Sequence, residues 1–275
     1  MRSASPILTR RAALGGTLAL LAAPRAASAV EWQGAPAQGA LIVGRAAPGT
    51  RLALDGRTVR VGADGAFAFG FGRDHGPEAT LAITHPDGRR EVRRIEVARR
   101  QWPVQHISGL PPAQVTPDAA ALARIRAERE RLAAARATDS ARTDFAGGFD
   151  WPARGRISGV FGSQRILNGQ PRQPHLGFDI AAPTGTPVLA AAPGRVTLAG
   201  DFFFFGRLLV VDHGHGVNTL YAHMSEIAVH EGAEVGRGER IGAVGATGRV
   251  TGPHLHFGLS WYQTFLDPQP VLPPA

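Results

Sequence analysis

The chain of 275 residues contains no cysteine. That absence excludes a disulfide framework, a thiolate metal site and a lipid-anchoring cysteine, although it does not fix a compartment. Lysine is missing too, so all 30 basic residues are arginine. With alanine, glycine and proline also inflated, this reads as GC-rich coding bias and carries no function by itself. Aromatic residues are scarce, at 7%. No apolar run reaches the ~20 residues that a membrane-crossing helix needs, so no stable span is expected. A zincin helix is lacking as well: "HEGAE" (230–234) has no second histidine, and Gly232 disfavours helix. What is abundant is glycine and proline, 35 and 21 residues, the composition of many turns and short strands.

The formal charge is +8. Four of the arginines, Arg2, Arg10, Arg11 and Arg25, fall in residues 1–29, where a basic start leads into an apolar run (12–23) and then Ala27-Ser28-Ala29. That is the plan of a secretory signal with an A-x-A cleavage site. The Arg10-Arg11 pair resembles a twin-arginine signal, and an exported, periplasmic or envelope protein is expected. Without those four arginines the remainder carries +4, in small scattered clusters. Such a surface suits an anionic polymer such as cell wall at least as well as nucleic acid, and no nucleic-acid partner is expected.

Residues 30–108 read as a small antiparallel β-sandwich. "RLALDGRTVRV" (51–61) and "TLAITHPDGRREVRRIEV" (80–97) alternate with period two, and Asp55-Gly56 and Pro86-Asp87-Gly88 are hairpin signals. The period then changes. Thr116 as N-cap, Pro117 at the first helical position and Asp118 in the first turn predict a helix over 117–137, with Leu122, Ile125, Arg129 and Leu132 on one face. Residues 109–148 therefore form a helical connector and linker, and 149–275 return to short, glycine-separated strands, an antiparallel sheet. The fold class is mainly β.

Four histidines and one aspartate in this last segment can carry chemistry. "HLGFD" places His175 and Asp179 four apart. A straight strand would hold their Cα atoms about 13 Å apart, too far for one ion, so the chain must bend between them, and Gly177 is the residue able to do so. "YAH" ends an apolar strand at His223, with Tyr221 expected on the same face. "TGPHLHFG" (251–258) puts His254 and His256 on one side of a strand. Taken singly, His223 reads as a satisfied core histidine and the HxH pair as a solvated face. "DHGHG" (212–216) has the composition of a hairpin tip, so His213 and His215 are expected to be structural or at a rim.

The ordered set "HxGxD", "YAH" and "GPHLHF" resembles the lysostaphin/LytM-type zinc endopeptidases, a peptidoglycan-cleaving family with a duplicated-hybrid-motif β fold. The resemblance covers roughly 149–271, including "GRISGVFG" (155–162). It implies that His175, Asp179 and His256 hold one Zn2+ per chain, that His223 and His254 are catalytic, and that the substrate is a peptidoglycan peptide. Three protein ligands leave a fourth position for water, the pattern of a catalytic site. With no glutamate base at hand, proton transfer falls to an imidazole, and which of the two acts as base stays open. In the loop 163–174, Arg165 and Asn168 are candidate substrate contacts, as is Tyr221. The alternative is a catalytically weak relative that binds cell wall or activates an amidase.

Overall fold

The computed structural model describes Met1, residues 30–111 and residues 115–274, and the expected signal segment otherwise lies outside the described residues. Seven strands occupy the first part: β1 (Glu31–Gln33), β2 (Leu41–Arg45), β3 (Arg51–Leu54), β4 (Arg57–Val59), β5 (Ala66–Gly70), β6 (Glu78–Thr84) and β7 (Arg90–Glu96). They form two antiparallel sheets, ordered β1-β2-β5 and β4-β3-β6-β7. In β6 the inward residues Ala79, Leu81 and Ile83 alternate with exposed ones, as a half-solvated antiparallel strand requires. β5 is instead buried throughout. Its Phe67 and Phe69 belong to the same apolar core as Phe178, Phe257 and Trp261 near the other end of the chain. Truncating such a phenylalanine to alanine typically costs about 3–5 kcal/mol.

Next come β8 (Val104–Ile107) and a helix, α1 (Ala119–Arg136), followed by β9 (Arg156–Gly159), β10 (Gln164–Leu167), β11 (Gln170–Pro171), β12 (Phe178–Ala181) and β13 (Pro187–Leu189). The chain continues through β14 (Gly194–Phe202), β15 (Gly206–Asp212), β16 (Val217–Met224), β17 (Glu226–Ile227), β18 (Glu234–Val235), β19 (Arg240–Ala243), β20 (His254–Trp261) and β21 (Thr264–Leu266). An eight-stranded antiparallel sheet runs β18-β14-β15-β16-β20-β12-β9, with β21 beside β20. β8 departs from the antiparallel pattern, since it pairs in parallel with β10 and joins the β10–β11 hairpin.

The helix is shorter than expected. Asp118, not Thr116, is its N-cap, because the Asp118 carboxylate accepts from the Ala121 N–H at 2.8 Å. Ile125, Leu132 and Ala135 are buried, while Leu122, expected on that face, stays 42% exposed. Leu132 and Ala135 pack on Leu208, Val210, Leu220 and Ala222 of the large sheet. β16 is thereby covered on both faces, which is why all eight of its residues are buried and its sequence shows no clean alternation.

Buried polar groups beneath β16 form a satisfied chain. The Tyr221 hydroxyl accepts from Ala191 N–H at 2.9 Å and shares a 3.1 Å hydrogen bond with Thr219, whose oxygen lies 2.7 Å from His213 Nε2. His213 Nδ1–H donates to the Pro193 carbonyl at 2.6 Å. Burial holds the His213 pKa down to about 4. The unfolded chain, at ~6.5, therefore takes up a proton that the native chain refuses between pH 6.5 and 4. Stability should fall as pH drops through that window, by about 2–3 kcal/mol at pH 4.5 from this group. Urea titrations at pH 7 and 4.5 should show a smaller acid loss in His213→Gln than in the parent, and an equal loss would contradict the assignment.

Candidate metal centre

Three strands bring the candidate ligands together. In the pairing of β12 with β20, Asp179 lies opposite His256, and in that of β12 with β9 it lies opposite Gly159. His175 arrives from the segment just before β12, and the chain bends at Gly177 as the spacing demanded. Gly177 does not use a left-handed backbone for this. A side chain there would put its Cβ 2.7 Å from His256 Nε2, so the position must be bare for the imidazole to lie across it. Gly159 plays the same part for Asp179, since a Cβ would fall 2.4 Å from Oδ2. "GRISGVFG" contributes this close approach, which the sequence alone did not reveal.

His175 Nε2, Asp179 Oδ1 and His256 Nδ1 converge. The separations are 3.0 Å from His175 to Asp179, 3.0 Å between the imidazoles and 2.9 Å from His256 to Asp179. All three residues are buried. The His175 Nδ1 faces the Val160 carbonyl at 3.1 Å, and because a carbonyl only accepts, Nδ1 carries the proton and Nε2 presents a lone pair. Burial holds the His175 pKa down to about 4, against the pull of Asp179. The Asp179 carboxyl lies well below the usual carboxylate range: burial opposes this, but the facing His175 and His256 outweigh it. A neutral lone pair and an ionised carboxylate oxygen thus face each other at 3.0 Å, and His256 Nδ1, within 3.0 Å of both, is the one atom of the three that can carry a proton there. With that proton released, all three atoms present lone pairs to one point, the arrangement that a cation satisfies. Donors bound at ~2.0–2.2 Å around a tetrahedral ion sit roughly 3.3–3.5 Å apart, so a slight opening of this triangle admits one.

The two remaining histidines flank the triangle. His223 and His254 have ring centroids 4.8 Å apart, and His223 and His256 5.8 Å. His254 Nε2 is 3.8 Å from Asp179 Oδ1. His223 sits at φ +63 in a bulge, where Leu209 pairs with Tyr221 and Arg207 with Met224, so two residues oppose one. The bulge overturns the expectation that Tyr221 shares the face of His223. Tyr221 points into the core against Phe257, while His223 turns toward His256. His223 Nδ1 faces the Thr247 carbonyl at 2.8 Å and His254 Nδ1 the Gly252 carbonyl at 2.9 Å. Both are therefore Nδ1–H tautomers with Nε2 as the basic atom. Burial, with His256 and His254 nearby, holds the His223 pKa well down.

Of the other candidates, Arg165 is brought in: its guanidinium donates to Asp179 Oδ2 at 3.1 Å. Asn168 and Tyr221 are not. The Asn168 side chain donates to the Leu110 carbonyl at 2.8 Å and accepts from its N–H at 3.3 Å, and Tyr221 is fully buried, so neither position supports a substrate contact. His213 and His215 are both buried. Sequence reasoning missed Thr247, whose carbonyl orients His223, and Arg249, whose guanidinium lies 4.2 Å over the Phe204 ring.

Residues 173–268, a span containing all five of these side chains, match the family described as peptidase family M23. A Pseudomonas aeruginosa protein whose crystal structure was assigned to peptidase M23 is 30% identical, with a TM-score of 0.65, over 86% of this chain and 94% of that one. The chain belongs to peptidase family M23. Among curated relatives of the family, the peptidoglycan DD-endopeptidase ShyA of Vibrio cholerae is 45% identical over 105 residues, 38% of this chain and 24% of its own length. The DD-carboxypeptidase/endopeptidase Mpg of Neisseria meningitidis is 45% identical over 118 residues, 43% of this chain and 26% of its own length. The chain thus spans about a quarter of the curated relatives it matches.

If the triangle is the metal cradle, His175→Ala, Asp179→Ala and His256→Ala should each lose bound zinc after dialysis. Gly177→Ala should lose much of it as well, because its Cβ displaces the His256 ring. Stoichiometric zinc in any of the three ligand variants would refute the cradle.

Proposed function

We propose that this protein is an exported zinc endopeptidase that hydrolyses peptide cross-links of peptidoglycan. The observation that carries the reading is the buried triangle of potential ligand atoms from His175, Asp179 and His256, with two imidazole Nε2 atoms beside it. Residues 149–275 supply the peptidase unit, 30–108 a positioning domain, and 109–148 the connector between them. The names of ShyA, a peptidoglycan DD-endopeptidase, and Mpg, a DD-carboxypeptidase/endopeptidase, support the choice of substrate. So does the expected export signal.

His175, Asp179 and His256 would hold the ion through two nitrogens and one oxygen, a donor set suited to zinc. Zinc so held supplies a water that ionises near neutral pH and polarises the scissile carbonyl. Arg165 keeps Asp179 Oδ2 engaged, which leaves Oδ1 directed at the cradle. His223 and His254, fixed by the Thr247 and Gly252 carbonyls, each offer Nε2 to accept a proton and return it to the leaving amine. Burial keeps His223 neutral, with Nε2 unprotonated. A relative that only binds cell wall would be expected to have lost part of this set, and here all five side chains are in place.

Two outcomes are expected. Purified protein should convert DD-cross-linked muropeptide dimers to monomers, with a chelator abolishing the activity; mass analysis that showed cuts only in the sugar strands or in glycine bridges would reject the reading. His223→Ala and His254→Ala should keep zinc and a near-parental melting temperature while turnover falls by about 10²–10⁴-fold. A His254→Ala protein with zinc bound and turnover near parental would reject the catalytic role.

A further inference from the structure

His223 and His256 open onto a cavity of about 900 Å³ beneath α1, and Glu128 lines its helical side. The β14–β15 turn forms another wall. Its sequence, "DFFFFG" (201–206), closes on three apolar residues, Phe203 to Phe205, before Gly206 supplies a positive φ of +58. Turns ordinarily rely on Asn, Asp or Ser side chains to satisfy their own backbone. None stands at those three positions, so the Phe203 N–H is answered from another element. That element is α1. The Glu128 carboxylate accepts from the Phe203 N–H at 2.8 Å, and Arg124 donates to the Asp201 carbonyl at 3.3 Å. Arg124, one helical turn away, also fixes the second Glu128 oxygen at 2.6 Å.

The same turn carries His223. The Phe205 carbonyl accepts from the His223 N–H at 2.8 Å, so only the turn itself separates the Glu128 contact from the backbone of the histidine. The ring is held by the same neighbourhood. Thr247, whose carbonyl faces His223 Nδ1 at 2.8 Å, accepts through its hydroxyl from the Arg207 N–H at 3.0 Å, just past the turn. The approach is close enough to leave no room for a Cβ on Gly206 beside Thr247 Oγ1. The Arg249 N–H fastens that segment to the turn again, at 2.9 Å from the Phe204 carbonyl. His223 occupies a left-handed backbone at φ +63, a conformation that persists only where its surroundings over-determine it. The turn is that surrounding, and Glu128 anchors the turn.

We propose that Glu128 is a positioning residue for the hydrolysis: acting through the β14–β15 turn, it holds His223 in the backbone conformation that turns its ring to the metal centre. The inference rests on the catalytic role given to His223 above. It adds a residue from the connector, outside the span 173–268 that matches the family, to what the peptidase site needs. The Glu128 hydrogen bonds go to Phe203 and Arg124, not to His175, Asp179 or His256, so zinc should stay bound without them.

Glu128→Ala, Glu128→Gln and Arg124→Ala are compared on the full zinc-loaded chain, well below the melting temperature. In Glu128→Ala, kcat on a cross-linked muropeptide dimer should fall about 10- to 100-fold, the order expected when a catalytic group is displaced by ~1 Å, with zinc content and KM within about twofold of the parent. Glu128→Gln keeps an acceptor oxygen for the Phe203 N–H and should restore kcat to within about threefold. Arg124→Ala, at an exposed position, should lose about two- to fivefold, and it tests the same support should the alanine variant at 128 not fold. Added to His223→Ala, Glu128→Ala should cost less than about twofold more, because the two act as a unit. The His223 imidazole signals, identified in heteronuclear spectra by their loss in His223→Ala, should move in Glu128→Ala and return in Glu128→Gln. Parental kcat in Glu128→Ala, unmoved His223 signals, a glutamine variant no better than the alanine, or a full multiplicative loss in the His223→Ala background would each overturn the proposal. A parent chain that cuts no muropeptide defeats the peptidase reading instead, and the His223 signals then decide the positioning by themselves.

Discussion

The site is organised by an electrostatic conflict. His175 Nε2 offers a lone pair to an ionised Asp179 oxygen at 3.0 Å, and the Val160 carbonyl prevents the imidazole from turning its N–H inward. In a buried setting such a contact is unfavourable unless a cation, or a proton on the adjacent His256 Nδ1, answers both atoms. The rest of the sheet is built so that it cannot relax. Asp179 is fixed by strand pairing on both sides, to His256 and Gly159, and the two glycines that face the cluster leave no slack for a side chain. Stability is given up here for a preformed cradle, as is common where a protein must bind an ion tightly.

Other features serve the same end. The bulge in β16 places His223 in a left-handed conformation, at an order-of-magnitude cost of 1–2 kcal/mol for a residue with a side chain. In return the chain switches face within one step, so that Tyr221 completes a buried hydrogen-bonded chain while His223 turns to the cluster. α1 covers the outer face of β14 to β16, and its Glu128 holds the backbone of the β14–β15 turn. The helix thus roofs the cleft as well as connecting two β regions.

Much of the site was legible in the sequence, for physical reasons that can be named. His254 and His256 share a face because the strand period is two, and the register of β20 against β12 keeps it so. The bend between His175 and Asp179 follows from the reach of a straight strand. Tyr221 was misplaced because a bulge breaks the alternation on which the inference relied, and no residue in "NTLYAHM" marks it; His223 takes the positive φ that a glycine would have signalled. The N-cap shifted from Thr116 to Asp118 because two capping residues compete within three positions. Thr247, Arg249 and the parallel pairing of β8 with β10 depend on contacts between distant segments, which periodicity does not encode.

X-ray absorption at the zinc edge of the purified, zinc-loaded protein bears most directly on the cradle. The account predicts one zinc per chain with four nitrogen or oxygen neighbours at ~2.0–2.1 Å, two of them imidazoles, and no sulfur. In His256→Ala the imidazole signal should vanish with the metal. A six-coordinate shell, a shell without histidine, or zinc retained unchanged in that variant would contradict it.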